Sequence, residues 1–133
     1  MKYLLDTNTC IRYINGRAPQ IRERIRLIAD TDITISTVTM GEMFFGSAKV
    51  SILNVPAPDR MLFFVRFAHL VFDESAANEF GRIRAHLEAA GTPIGPYDMQ
   101  IAAIALVHGL IVVTHNTREF SRIPNLQIED WEA

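Results

Sequence analysis

Four oxygen-bearing side chains, Asp6, Glu42, Asp98 and Asn116, are spread along nearly the whole of a 133-residue chain. Asp6 ends the short apolar run Lys2–Leu5. Glu42 falls early in an apolar-rich segment that follows Ile33-Thr34-Ile35-Ser36. Asp98 comes two residues after Pro96. Asn116 closes the run Leu110–Thr114. If the apolar runs are parallel strands, these positions share the carboxyl edge of one sheet, where ligands bind in open α/β folds. Carboxylates packed together repel and raise one another's pKa. A bound cation relieves that repulsion, and an all-oxygen donor set favours Mg2+ or Mn2+ over zinc. An ion that keeps part of its water shell supplies a nucleophile and clamps phosphoryl oxygens. Metal-assisted phosphodiester hydrolysis is the natural chemistry.

Each residue also has a structural reading. Asp6 and Asn116 could be turn formers or caps. Asp98 could favour the dipole in the first turn of a helix. Glu42 could lie on an amphipathic face, although Met40, Met43, Phe44 and Phe45 around it suit a buried or cleft-lining place. His115 reads as structural or as a minor substrate contact, and the other histidines are not spaced as ligands.

The elements that must position these residues follow from periodicity and punctuation. Strands are expected at Lys2–Leu5, Ile33–Ser36, Leu70–Phe72, Leu110–Thr114 and Leu126–Ile128. Helices are expected at Thr7–Asn15, from Pro19 through Ile28, from Thr37 to about Val50, over Asp59–Phe67, over Ser75–Ala90 and from Pro96 to a stop at Gly109. Pro56 and Pro58 mark Asn54–Pro58 as a connector. Glu129–Ala133 reads as an acidic tail. Alternating strands and helices give an α/β fold with a parallel sheet. No linker divides residues 1–133, so one domain is expected.

Composition narrows the class. About half the residues are hydrophobic and a fifth are charged, as in compact soluble proteins. No apolar run reaches the ~18 residues of a membrane span, and three apolar residues before Asp6 are too few for a signal peptide. One cysteine excludes an internal disulfide, and a cytoplasmic protein is the simplest expectation. Net charge is −2, so bulk charge does not announce a nucleic-acid partner. Arg12, Arg17, Arg22, Arg24 and Arg26 cluster as a phosphate-contacting face, a solvated helix face or a surface for an acidic protein.

At these residues the chain resembles the PIN-domain family, and within it the VapC-type toxins of bacterial toxin–antitoxin pairs. Leu4-Leu5-Asp6-Thr7-Asn8 is similar to the first motif. Ile35–Gly46 resembles the segment that carries a family Glu, with Glu42 in its place. Ile94–Ala103 is similar to the third motif, with Asp98 as its acid, and Val113–Phe120 matches the fourth. The resemblance implies a three-layer α/β/α sandwich with a mainly parallel sheet. It implies Asp6 and Asp98 as Mg2+ ligands (Mn2+ as the alternative), with Glu42 completing the pocket and positioning water. It further implies an endoribonuclease that cuts RNA, with tRNA one candidate, to arrest translation. A VapB-type antitoxin and a homodimer are the implied partners. Asn116 stands where the family most often has Asp, and Glu119 is near enough in sequence to supply a carboxylate instead. Thr7, Asn8, Tyr97, Thr114 and Arg118 are the candidate RNA contacts. The competing reading is a PIN-fold interaction protein with little or no turnover, which Asn116 alone favours. A phosphotransfer domain fits poorly, because Asn8 stands where a second Asp is needed and neither Lys2 nor Lys49 is well placed.

Overall fold

The fold is described from a computed structural model, over residues 1–48 and 57–133. Five short strands form one sheet: β1 (Tyr3–Leu5), β2 (Ile33–Ser36), β3 (Ala68–Leu70), β4 (Ile111–Val113) and β5 (Ile128–Glu129). Their order is β3-β2-β1-β4-β5, and every neighbouring pair is parallel. The helices are α1 (Thr7–Ile14), α2 (Pro19–Arg26), α3 (Thr37–Ala48), α4 (Ala57–Arg66), α5 (Glu74–Ala89), α6 (Pro96–His108) and the single turn α7 (Thr117–Phe120).

Alternation along the central strands builds two cores. Tyr3, Leu5 and Val113 face one side, with Ile21 and Ile25 of α2, Met43 of α3 and the phenylalanines of α4. Leu4 and Val112 face the other, with Ile83 and Leu87 of α5 and the run Ile101–Ala105 of α6. A sheet buried on both faces needs near-continuous apolar strands, which is how β1 and β4 read. The result is the three-layer α/β/α arrangement expected from sequence.

Two strands sit elsewhere than their apolar residues suggest. β3 is Ala68–Leu70, not Leu70–Phe72, because its pairing follows β2, with Thr34 opposite Ala68 and Ser36 opposite Leu70. It is an edge strand, so its side chains are largely exposed and carry little hydrophobic pattern. β5 is Ile128–Glu129 instead of Leu126–Ile128, held where Val112 and Val113 oppose it. The connector expected over Asn54–Pro58 ends inside α4, whose first turn accepts Pro58. The rest of that connector, and the last residues of the helix expected to reach Val50, lie outside the described residues.

The carboxyl-terminal segment is also no free tail. Trp131 is buried edge-on against Tyr3, with ring centroids 5.0 Å apart. Its indole N–H donates to Glu129 at 3.0 Å, and Arg24 lies 5.3 Å over its ring. Of the clustered arginines, Arg24 pairs with Glu129, Arg26 with Glu23 and Arg12 with Glu132. Arg22 donates to the Tyr13 carbonyl. These arginines therefore serve the fold in the first place.

Candidate active site

Reversal of strand order around β1 and β4 opens a crevice at their carboxyl ends, where a parallel sheet places its ligands. Asp6 follows β1 directly. Its peptide N–H donates to the Val113 carbonyl at 3.0 Å, which ties the end of β1 to β4. Its Oδ1 accepts from the Thr9 N–H at 2.9 Å and caps α1. The cap and the site are therefore one residue. Asp6 is 4% exposed. Burial pushes its carboxyl up, against hydrogen bonds from Thr114 and Thr9 that pull it down.

Ser36 caps α3 through a bond from the Thr39 N–H to its Oγ, at 3.1 Å. That start orients Glu42, one and a half turns on, towards α1. The Thr7 hydroxyl donates to Glu42 Oε1 at 2.6 Å and lies 3.1 Å from the Thr39 hydroxyl. Asp98 rides in the first turn of α6, behind Pro96 at a position that needs no backbone N–H. Gly95, the N-cap of the helix, lies next to this carboxylate, and a Cβ there would stand 3.9 Å from Asp98 Oδ2, in ordinary contact.

Asp98 reports that the acids converge. Its carboxyl is pushed up to about 6, first by burial and then by the negative charges of Asp6, Glu42 and Glu119. Four carboxylates from α1's cap, α3, α6 and α7 thus share one field. Asn116 belongs to the same neighbourhood but faces Glu119. Its Nδ2 donates to Glu119 Oε2 at 3.0 Å, and its peptide N–H donates to the Thr114 hydroxyl at 2.9 Å. Two cavities flank the acids. One, of about 590 Å3, is lined by Asp6, Asn8, Arg12, His115 and Asn116. The other, of about 480 Å3, is lined by Val38, Glu42, Phe45, Tyr97 and Gln100.

The five residues expected as contacts for a substrate divide in two. Thr7 and Thr114 are buried, with hydroxyls committed to Glu42 and to Asp6 and Asn116. Asn8, Tyr97 and Arg118 are exposed. One participant escaped the sequence reading. Glu132 enters the larger cavity, and its charge adds to the upward push on Asp6. Trp131 beside it was the available signal, since a large apolar side chain seldom ends a free tail.

A close-packed set of oxygen donors with one carboxyl already raised is the donor chemistry a hard divalent cation satisfies. The residues present fit such an ion. Asp6, Asp98, Glu42 and Glu119 can supply its ligands, with Asn116 as a neutral neighbour.

Comparison with known proteins places this geometry. The family model described as the PIN domain matches residues 3–126. The chain is 45% identical to the tRNA(fMet)-specific endonuclease VapC of Salmonella typhimurium, with 98% of each covered. It is 32% identical to Ribonuclease VapC2 of Rickettsia felis, with 99% of each covered. Among solved structures, DNA-bound VapBC from Salmonella typhimurium superposes with a TM-score of 0.85 at 44% identity, over 98% of each chain. VapBC2 from Rickettsia felis, bound to a promoter DNA fragment, superposes with a TM-score of 0.88 at 32% identity, over 98% of this chain and 99% of that one.

Proposed function

The chain belongs to the PIN-domain family, and from that premise we propose that it is a VapC-type toxin, a metal-dependent endoribonuclease held in check by a VapB-type antitoxin. The observation that carries the reading is the convergence of acids at Asp98, whose carboxyl is pushed up to about 6 first by burial and then by the charges of Asp6, Glu42 and Glu119. Residues 1–133 act as one nuclease domain in the cytoplasm, where the antitoxin and RNA are met. Relatives at 45% and 41% identity bear the name tRNA(fMet)-specific endonuclease, so tRNA is the proposed substrate class and initiator tRNA the first to try. No helix among the described residues is long and apolar enough to cross a membrane.

Asp6 and Asp98 are the proposed ligands of one Mg2+, with Mn2+ as an effective substitute, and Glu42 and Glu119 lie close enough to share the charge. When bound, the ion supplies Lewis-acid polarisation of the phosphodiester and lowers the pKa of water. The chain's own side chains do the rest. Thr7 fixes Glu42 Oε1, which leaves Oε2 to orient water and accept its proton. Hydrogen bonds from Thr9 and Thr114 orient Asp6 and favour its charged form against the burial that opposes it. Asn116 holds Glu119 in place through its amide. Asn8 and Tyr97 line the cavities beside the acids and, with the exposed Arg118, are the proposed RNA contacts, the Tyr97 ring being available to stack on a base.

The test is cleavage of total cellular RNA by antitoxin-free protein, with Mg2+, with Mn2+ and with EDTA, beside Asp6→Ala. Cutting that needs the metal and falls at least about 100-fold in the variant is expected. A folded protein that cuts nothing would favour the interaction-protein reading. Asn116 would then be the first residue to revert to Asp.

A further inference from the structure

A second group of potential ligands lies beside the carboxylates just described and shares a cavity with Asp6. His115 follows β4, while Asp130 and Glu132 stand on the segment after β5. One ligand atom from each lies within 4.8 Å of the other two. His115 Nδ1 is 3.0 Å from Asp130 Oδ2. Two ligands on one tetrahedral ion with bonds of 2.0–2.1 Å stand about 3.3 Å apart, so an ion could replace the proton these atoms share with little movement. Asp130 is already oriented, because its Oδ1 accepts the Glu132 N–H at 2.9 Å.

Glu132 supplies the independent observation. Its side chain is only 9% exposed. Oε1 is taken by Arg12 Nε at 2.7 Å. Oε2 is buried and has no hydrogen-bond partner among the described residues. A buried carboxylate oxygen left unmatched is costly, and a missing ion is one of the few explanations for it. The residue also lines the 590 Å3 cavity together with His115, so an ion has a route in.

We propose that His115, Asp130 and Glu132 form a binding site for a divalent transition ion of the zinc type, distinct from the site at Asp6 and Asp98. One imidazole and two carboxylates make a borderline donor set, which prefers Zn2+ or Co2+ to Mg2+. With three protein ligands the ion keeps an open position towards the cavity. It also ties the carboxyl-terminal segment to the loop after β4, so binding stabilises the fold by mass action. The site does not depend on the nuclease reading, and RNA cleavage with Mg2+ tests that reading separately.

The experiment titrates Zn2+ by calorimetry and Co2+ by visible absorption into the full chain carrying Asp98→Asn, which weakens the acidic pocket as a competitor. One ion is expected per chain, undisturbed by excess Mg2+, with a rise of several degrees in melting temperature. Adding His115→Ala, an exposed residue whose loss should leave the fold intact, should weaken binding at least tenfold and abolish the thermal shift. Adding Glu132→Gln instead should do the same. Unchanged affinity in the His115→Ala protein would overturn the site. So would loss with His115→Ala but none with Glu132→Gln, which would make the ligand a lone surface histidine. Melting curves in EDTA verify that each variant is folded.

Discussion

Asp98 is the residue at which the arrangement of acids becomes measurable. Its carboxyl is raised from 3.8 to about 6, so the folded state binds its proton more tightly than the unfolded chain does. The stability it contributes is therefore greatest below pH 4 and is lost as pH rises through 6. A shift of this size would be worth roughly 3 kcal/mol, which solvent screening of a half-buried group reduces to about 1 kcal/mol. In EDTA, Asp98→Asn should raise the melting temperature at pH 7.5 by about 3–5 °C. The gain should fade towards pH 4, and a gain independent of pH would show that charge is not its cause. Asn116 makes the complementary case. Its amide neutralises nothing and donates to Glu119. Asn116→Asp exchanges that bond for a repulsion, so the metal-free protein should melt lower while divalent-ion affinity rises several-fold by calorimetry. Unchanged or weaker ion binding would place residue 116 outside the ion's reach.

At the scale of elements, the carboxyl-terminal segment is the part whose role the chain hides best. Trp131 is 2% exposed and holds that segment against Tyr3 of β1, directly upstream of Asp6. Trp131→Ala should cost about 3 kcal/mol and should lower cleavage through a loosened β1 end; denaturant melts and kcat would report both. Stability lost with kcat intact would uncouple the anchor from the site. The other elements were legible to different degrees, for physical reasons. β1 and β4 are central and doubly covered, so their apolar runs announce them. The N-cap at Asp6, the Pro96 start and the Gly109 stop, with φ of +64°, are local chemistry that sequence states directly. β3 and β5 are edges whose positions are set by partners distant in the chain, and neither run marks its own register. The convergence of Asp6, Glu42 and Asp98 was legible because a parallel sheet brings strand ends to one edge. Glu132 was not, because its place depends on a tertiary anchor with no periodic signature.

At the scale of the whole molecule, the described residues of α3 and α4 present several large apolar side chains to solvent. Phe63 and Phe64 of α4 turn inward, as does Phe67 just after it, while Met61, Leu62 and Val65 on the opposite stripe of α4 are 57–80% exposed. Phe44 of α3 packs on Phe64 with ring centroids 5.5 Å apart. It and Phe45 are themselves 48% and 63% exposed, so both helices contribute large apolar side chains to this strip. Single exposed apolar residues need no explanation, but a contiguous group of large ones marks an interaction surface. Phe45 also lines the cavity that holds Glu42 and Tyr97, so a partner seated on the strip adjoins the Glu42 side of the acids. That position suits an antitoxin better than a second toxin chain, because it covers the strip and blocks RNA in one step. Leu62→Asp combined with Val65→Asp should leave stability within about 0.5 kcal/mol, since both side chains face water in the free chain. Cleavage by the free toxin should be unchanged. Antitoxin affinity should fall at least tenfold, because two charges would have to be desolvated without partners. Light scattering of the same variant separates the alternatives. A dimer dissociated with antitoxin affinity intact would assign the strip to toxin self-association. Both quantities unchanged would make it ordinary surface.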